Sequence, residues 1–198
     1  MPSSRRAACI LKSQRETRQQ MSETSEQREQ GQNHQDLSGT EAREKISALV
    51  KGIHICMMNT ANPDGSIDSR PMALQNTPFD GKLYFLTRRS SAKVDEVEQD
   101  RHVTLTFAEP SDQKYITLKG RASVSQDHAK VHELWNSMYK AWFPKGPEDP
   151  EIAVVRVDVS EGDFWEASSS KVLFYARYML AAATGGQVPV GESGHVTV

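Results

Sequence analysis

The strongest constraint on the fold is a series of strand-like segments that follow one another with only turns or short helices between them. They cover residues 53–60, 66–77, 79–87, 102–110, 113–126 and 152–160. No regular alternation of strands and long helices appears, which favours an antiparallel sheet over a parallel one. The pair Asp80-Gly81 is typical of a tight turn, and it predicts that the second and third strands form a hairpin. Because closure removes exposed sheet edges, we expect a mainly β fold, a six-stranded antiparallel barrel with flanking helices.

Four helices are predicted around these strands. They cover residues 40–51, 90–100, 127–143 and 168–184. In the second helix Val94 and Val97 face inward, and in the third Met138 belongs to the apolar stripe. Gly120 lies inside the fifth strand, where a glycine indicates a bend or a bulge.

Composition divides the chain into three parts. Residues 1–38 are polar and contain no aromatic side chain, which predicts a disordered N-terminal arm. Residues 39–183 have the size and patterning of one domain, and residues 184–198 read as a flexible, glycine-containing tail. The arginine-rich start of the arm is either a targeting peptide or a mis-assigned start, with Met21 as the alternative first residue. The apolar run at residues 7–11 is too short to span a membrane.

Charge and cysteine content narrow the classes of partner. The formal net charge is −2, so no electrostatic argument favours nucleic acid or an anionic membrane as a partner. The six histidines are scattered, and no motif with metal-ligand spacing is present, so no metal site is predicted. The two cysteines, Cys9 and Cys56, do not suggest a disulfide framework, and we expect a cytoplasmic protein.

Two local irregularities indicate where a ligand binds. Arg70-Pro71 interrupts a strand, although proline cannot donate to a sheet and is confined to edges and bulges. Three basic residues, Arg88, Arg89 and Lys93, crowd the start of the second helix, where the helix dipole disfavours cations. The alternative for Arg70-Pro71 is a plain edge strand, and the alternative for the three basic residues is solvated surface charge.

A bound phosphate would explain the basic helix start. Free N–H groups, the hydroxyls of Thr87 and Ser91 and the ammonium of Lys93 all suit an anion. The predicted hairpin would bring Arg70 close to Leu86 and Thr87, so that its guanidinium could add a forked donor. A planar ring could then lie along the strand near Pro71 and Met72.

The order of these motifs resembles a known family. SRPMAL, YFLTRRSSAKVDEVEQD, VTLTF and YITLKGRASV are similar to the pyridoxamine 5'-phosphate oxidase-like flavoproteins, which have the FMN-binding split barrel. HELWNSMYKAWFPKGPEDPEIAVVRVDVSEGDFWEA and SSKVLFYARYMLAAATGG resemble the general stress protein group of that superfamily. The resemblance runs over about residues 40–185 and keeps its order throughout.

The resemblance implies FMN, with FAD possible, bound at the interface of a homodimer. The residues that it places at the cofactor are Arg70, Pro71, Met72, Leu86, Thr87, Ser91, Lys93, Tyr115 and, from the partner chain, Trp165. For Trp165 an ordinary core or interface aromatic is the alternative. Trp135, Trp142 and Phe143 are expected to pack in the core or the interface instead of contacting the cofactor.

Two departures from the oxidases bear on activity. Gln75 stands where pyridoxamine-phosphate oxidases carry a lysine for the substrate phosphate, and EASSSKVLFYAR lacks their Arg-x-His motif. We therefore expect a general stress protein with FMN-dependent oxidoreductase activity on an unknown small molecule, not a true pyridoxamine-phosphate oxidase. No catalytic side chain is assigned, because flavin chemistry needs none. The alternatives are a non-catalytic flavin-binding or sensing module and an interaction protein that has lost the cofactor.

Overall fold

The computed structural model describes residues 33–75, 78–167, 179–180, 182 and 191–198. The chain divides into two compact units, one of residues 36–166 and 194–198 and one of residues 1–35 and 167–193. Its strands are β1 (Asn33–Ser38), β2 (Ile55–Ala61), β3 (Ile67–Ala73), β4 (Lys82–Arg88), β5 (His102–Glu109), β6 (Lys114–Ser125), β7 (Ile152–Ala167) and β8 (Gly191–Thr197). Its helices are α1 (Gly39–Val50), α2 (Ala92–Gln99), α3 (His128–Leu134) and a 3-10 helix (Ser137–Ala141).

The strands form one antiparallel sheet with helices at its sides, which confirms the predicted mainly β class. The strand order is β1-β8-β7-β6-β5-β2-β3, and β4 pairs with β7 off this path. The described residues contain eight strands, whereas the sequence predicted six. The predicted sixth strand also runs further, to Ala167, because β6 pairs with it along almost its full length.

The predicted hairpin between the second and third strands was wrong. Gly81 has the expected positive φ of 98°, but β4 pairs with β7, from Lys82↔Asp158 to Arg88↔Ile152. This pairing sets Phe85 opposite Val155 in the core. Burial of these apolar side chains therefore decides the partner of β4, although β3 is nearer in the sequence. β3 pairs with β2 instead and ends the sheet order as an edge strand, where Pro71 is tolerated.

Strands also occupy the ends of the predicted arm and tail. Asn33–Ser38 is β1, and Gly191–Thr197 is β8. Both segments are largely polar, so their sequences carry little strand signal, although Val196 of β8 is buried in the core and Leu37 of β1 packs against it. The arm and tail assignments were therefore wrong at these two segments.

The first two helices follow the predictions, and the third does not. α1 and α2 match, and Val94 and Val97 are buried as expected. The predicted helix over residues 127–143 breaks after α3, where the Asn136 side chain accepts a hydrogen bond from the N–H of Met138 and starts the 3-10 helix. Met138 is consequently 73% exposed, not part of an apolar stripe. The fourth predicted helix falls largely outside the described residues.

The core lies between the sheet and α1. Its largest fully buried side chains include Phe85, Phe164 and Ile46. Gly120 sits at a register shift between β6 and β7, as its place in the sequence predicted. A Cβ there would lie 2.3 Å from the carbonyl oxygen of Asp158, so the bulge requires glycine.

Candidate functional site

A cavity of about 350 Å³ opens beside β3, β4, the start of α2 and the 3-10 helix. Its lining residues are Ile55, Pro71, Met72, Ala73, Leu86, Thr87, Arg88, Ser91, Lys93, Tyr139, Trp142 and Phe143. Its volume falls in the range of small-molecule sites. Six of the nine residues predicted for the cofactor line it: Pro71, Met72, Leu86, Thr87, Ser91 and Lys93.

One end of the cavity carries hydrogen-bond donors and positive charge. The Lys93 ammonium donates to the Thr87 hydroxyl at 3.0 Å, and the Ser91 hydroxyl lies 3.3 Å from the same oxygen. Ser91 holds the N-cap position of α2, but its hydroxyl donates to the carbonyl of Arg88 at 2.7 Å instead of capping the helix. Burial lowers the pKa of Lys93, the nearby Arg70 lowers it further, and Glu96 opposes the shift. A desolvated ammonium beside two hydroxyls suits an anionic oxygen.

Arg70 does not line the cavity. Its guanidinium donates to the Thr60 hydroxyl at 2.8 Å and to the Glu96 carboxylate at 2.6 Å. It is nevertheless near the charged end, because its charge affects the pKa of Lys93. The predicted pairing of β3 with β4 was not what brought it there: β3 lies on β2, and α2 supplies Glu96. A direct contact of Arg70 with a ligand stays a prediction.

Part of the cavity wall is aromatic. Tyr139, Trp142 and Phe143 line it, and the ring centroids of Tyr139 and Trp142 are 6.3 Å apart. The amide of Gln75 donates to the Tyr139 hydroxyl, so this oxygen is satisfied while its own proton remains available. Burial raises the pKa of Tyr139, and the bond from Gln75 opposes that shift.

Trp142 was expected to pack in the core or the interface. It is 55% exposed, which excludes the core, and it lines the cavity; packing in an interface stays a prediction. Phe143 is buried as expected and also reaches the cavity. Arg88 holds this segment by donating to the carbonyl of Trp142 at 2.7 Å. The signal in the sequence was Asn136-Ser137, a pair that favours a new helix start and turns the following aromatics toward β4.

Tyr115 and Trp165 lie away from this cavity. They are Cα partners on β6 and β7, and each is 46% exposed. Tyr115 borders a second cavity, of about 400 Å³, on the face of β2, β5 and β6. Ile55 borders both cavities. The structure thus gathers six predicted residues at one site, places Tyr115 beside the second cavity and leaves Arg70 and Trp165 outside both linings.

This antiparallel mainly β fold is that of the split-barrel proteins, and its cavity combines a half-buried lysine and hydroxyls with aromatic side chains. The family model described as "Pyridoxamine 5'-phosphate oxidase like" matches residues 41–189. The chain therefore belongs to the pyridoxamine 5'-phosphate oxidase-like family.

Several known proteins are similar to this chain. The protein bli-3 of Neurospora crassa is 32% identical over 122 residues, which cover 57% of this chain and 58% of bli-3. The chain therefore aligns with little more than half of this relative's length. The general stress FMN/FAD binding protein of Xanthomonas citri is 27% identical, with a TM-score of 0.58 over 67% of this chain and 93% of its own. General stress protein 26 of Bacillus anthracis is 26% identical, with a TM-score of 0.56 over 63% of this chain and 94% of its own.

A more distant structure shows the same fold over a larger part of the chain. A protein of Jannaschia sp. CCS1, 19% identical, superposes with a TM-score of 0.68 on 81% of this chain and the whole of its own. Within the part of the chain that the structure describes, no helix is long and apolar enough to cross a bilayer.

Proposed function

We propose that this chain is an FMN-binding protein of the general stress type. The observation that carries the proposal is the Lys93 ammonium, half-withdrawn from solvent, on the Thr87 hydroxyl with Ser91 alongside. In this proposal these three residues and the first N–H groups of α2 hold the flavin phosphate. The name of the similar Xanthomonas citri protein, a general stress FMN/FAD binding protein, supports a flavin, and FAD is the alternative to FMN.

The rest of the flavin would follow the cavity wall. Pro71 and Met72 on the edge strand and Leu86 on β4 offer apolar surface to a ring and its ribityl chain. The half-exposed aromatics Tyr115 and Trp165 would complete the site in a homodimer, with Trp165 supplied by the partner chain. When bound, FMN accepts and returns electrons or a hydride, and the chain's own residues position it and exclude water. We propose an oxidoreductase of unknown substrate in the cytoplasm.

The proposal is tested by flavin retention. Purified protein is incubated with FMN and passed through gel filtration, and its visible spectrum is then recorded. We expect a flavin spectrum at about one FMN per chain. Lys93→Ala should weaken FMN binding by about 10- to 100-fold, because a charge-assisted contact to the phosphate is lost. The control is Lys119→Ala, which removes an exposed lysine of β6 that pairs with Glu161 on β7.

Two outcomes would reject parts of the proposal. If the wild-type protein stays colourless after incubation with FMN, the proposed cofactor is rejected, and an interaction protein with the same fold is favoured. Equal retention of FMN in Lys93→Ala and Lys119→Ala would support flavin binding but would show that the phosphate does not bind at Lys93. Repeating the titration with FAD decides between the two flavins.

A non-catalytic flavin module is the second candidate. Gln75 supports it, because its amide is engaged with Tyr139 where the related oxidases carry a lysine for substrate. Both candidates retain flavin, so turnover separates them. Steady oxidation of NADH or NADPH by the FMN-loaded protein supports the oxidoreductase. Retained flavin without turnover across electron donors supports binding or sensing.

A further inference from the structure

Arg70 and Glu96 form an ion pair that is closed by a third side chain. The Arg70 guanidinium donates one N–H to Glu96 at 2.6 Å and another to the Thr60 hydroxyl at 2.8 Å. The Thr60 hydroxyl in turn donates to the same Glu96 oxygen at 2.5 Å. The side chains of Arg70 and Glu96 are only 17% and 14% exposed, and Thr60 is buried. The triangle therefore joins β2, β3 and α2 away from bulk water.

This triangle lies next to the cationic end of the cavity. Glu96 follows Lys93 by three residues on α2, which puts both on one side of the helix. Arg70 lowers the pKa of Lys93 and Glu96 raises it, so both side chains are within electrostatic range of the ammonium. Neither side chain lines the cavity, whereas Lys93 and Arg88 do.

We infer that Glu96 limits the affinity of the cavity for anions by cancelling the charge of Arg70. The inference rests on the proposed function in that it takes the Lys93 end as the phosphate site. With Glu96 in place, Lys93 and Arg88 are the charges that an incoming phosphate meets. Without it, the charge of Arg70 adds to the field at low dielectric.

A purely structural role for Glu96 predicts the opposite result. If the triangle served only to hold α2 on the sheet, its loss would loosen the cavity wall and weaken anion binding. The direction of the change therefore distinguishes a charge-tuning residue from a structural brace.

The test is Glu96→Gln, titrated with inorganic phosphate and with FMN at low ionic strength. We expect binding of both to tighten by roughly three- to tenfold, and to fall more steeply with added salt than in the wild type. The matched control is Glu98→Gln, which makes the same charge change on the same helix. Glu98 pairs with Arg89 at 3.1 Å and is half-exposed, so its removal should change phosphate binding less than twofold. Weaker or unchanged binding in Glu96→Gln, or equal tightening in Glu98→Gln, overturns the inference.

A double variant covers the case in which Glu96→Gln does not fold. Replacing both partners, Arg70→Gln with Glu96→Gln, avoids leaving one buried charge unpaired. If Glu96 cancels Arg70, this variant should bind phosphate within about twofold of the wild type. A tenfold loss would mean that Arg70 contributes directly, and would overturn the inference.

Inorganic phosphate separates this inference from the proposed function. Tightened phosphate binding in Glu96→Gln, with no FMN binding in any variant, supports the charge role of Glu96 and rejects the flavin. FMN binding that is unaffected by Glu96→Gln keeps the flavin and rejects the role of Glu96. No phosphate binding in either the wild type or the variant rejects the role as well.

Discussion

The Lys93 ammonium donates to the Thr87 hydroxyl across 3.0 Å, which joins the first turn of α2 to the end of β4. Thr87 is buried, and its position on β4 fixes its hydroxyl at the cavity. This contact keeps the Lys93 ammonium at the cavity, where it can donate to a ligand, instead of letting the side chain extend into water. Its removal should be felt both in stability and in ligand binding.

Thr87→Val removes that acceptor while keeping the shape of the side chain. We expect the free energy of unfolding to fall by about 1 kcal/mol and FMN binding to weaken by about three- to tenfold. Urea denaturation and a flavin titration measure the two effects. Thr104→Val on β5, outside the cavity lining, is the control and should leave FMN binding unchanged. Equal FMN affinity in Thr87→Val and Thr104→Val would show that Thr87 does not contribute to the flavin site.

Trp142 should contribute stacking surface to a bound ligand. Trp142→Ala removes an exposed ring from the cavity wall, and we expect FMN binding to weaken by about three- to tenfold. Trp142→Phe should restore most of the affinity, because it keeps an aromatic face. Met138→Ala is the control, since Met138 is exposed on the same segment but does not line the cavity. Full affinity in Trp142→Ala would show that the ligand does not reach this wall.

Gly120 should be essential to the bulge between β6 and β7. In Gly120→Ala the new Cβ would lie 2.3 Å from a backbone oxygen, which cannot move without shifting β7. We expect a loss of about 1–3 kcal/mol in the free energy of unfolding, measured by urea denaturation. Ser123→Ala, further along β6, should cost less than about 0.5 kcal/mol. A variant as stable as the wild type would mean that the bulge can relax.

Cys56 should make stability depend on alkaline pH. Burial raises its pKa from 9.0 to about 12. The folded state therefore keeps the thiol protonated where the unfolded chain ionises, and the associated stability is present below pH 9 and lost between pH 9 and 12. From pH 8 to pH 10.5, the wild type should lose about 2 kcal/mol more unfolding free energy than Cys56→Ala. Parallel losses in both proteins would show that Cys56 does not titrate on unfolding.

Local sequence signals predicted most of the elements correctly. Alternating apolar residues marked the strands, and Val94 and Val97 marked the buried face of α2. Gly120 marked the bulge for a steric reason that holds wherever the strand pairs. The clustering of Ser91 and Lys93 near Thr87 was also predictable, because these residues are joined by one strand-to-helix turn.

Strand partners were less predictable, since pairing is decided by distant residues. The Asp80-Gly81 turn predicted a β3–β4 hairpin, but β4 buries its apolar face best against β7. The segments β1 and β8 are weakly patterned, because each places few apolar side chains against the core, among them Leu37 and Val196. The break after α3 depended on Asn136 bonding to the backbone, a choice that competes closely with a continuous helix.

The sequence by itself determined the class of the fold and the donors of the cationic end, because alternation, turns and a helix start are short-range properties. Tertiary structure alone decided that Arg70 would bind Glu96 and Thr60, and that Trp142 would face the cavity. The Arg70–Glu96 contact joins a strand to a helix 26 residues away, and Trp142 meets the cavity only because its segment packs near β4. Which charge is compensated, and which ring meets a ligand, depends on what packing brings within a few ångströms.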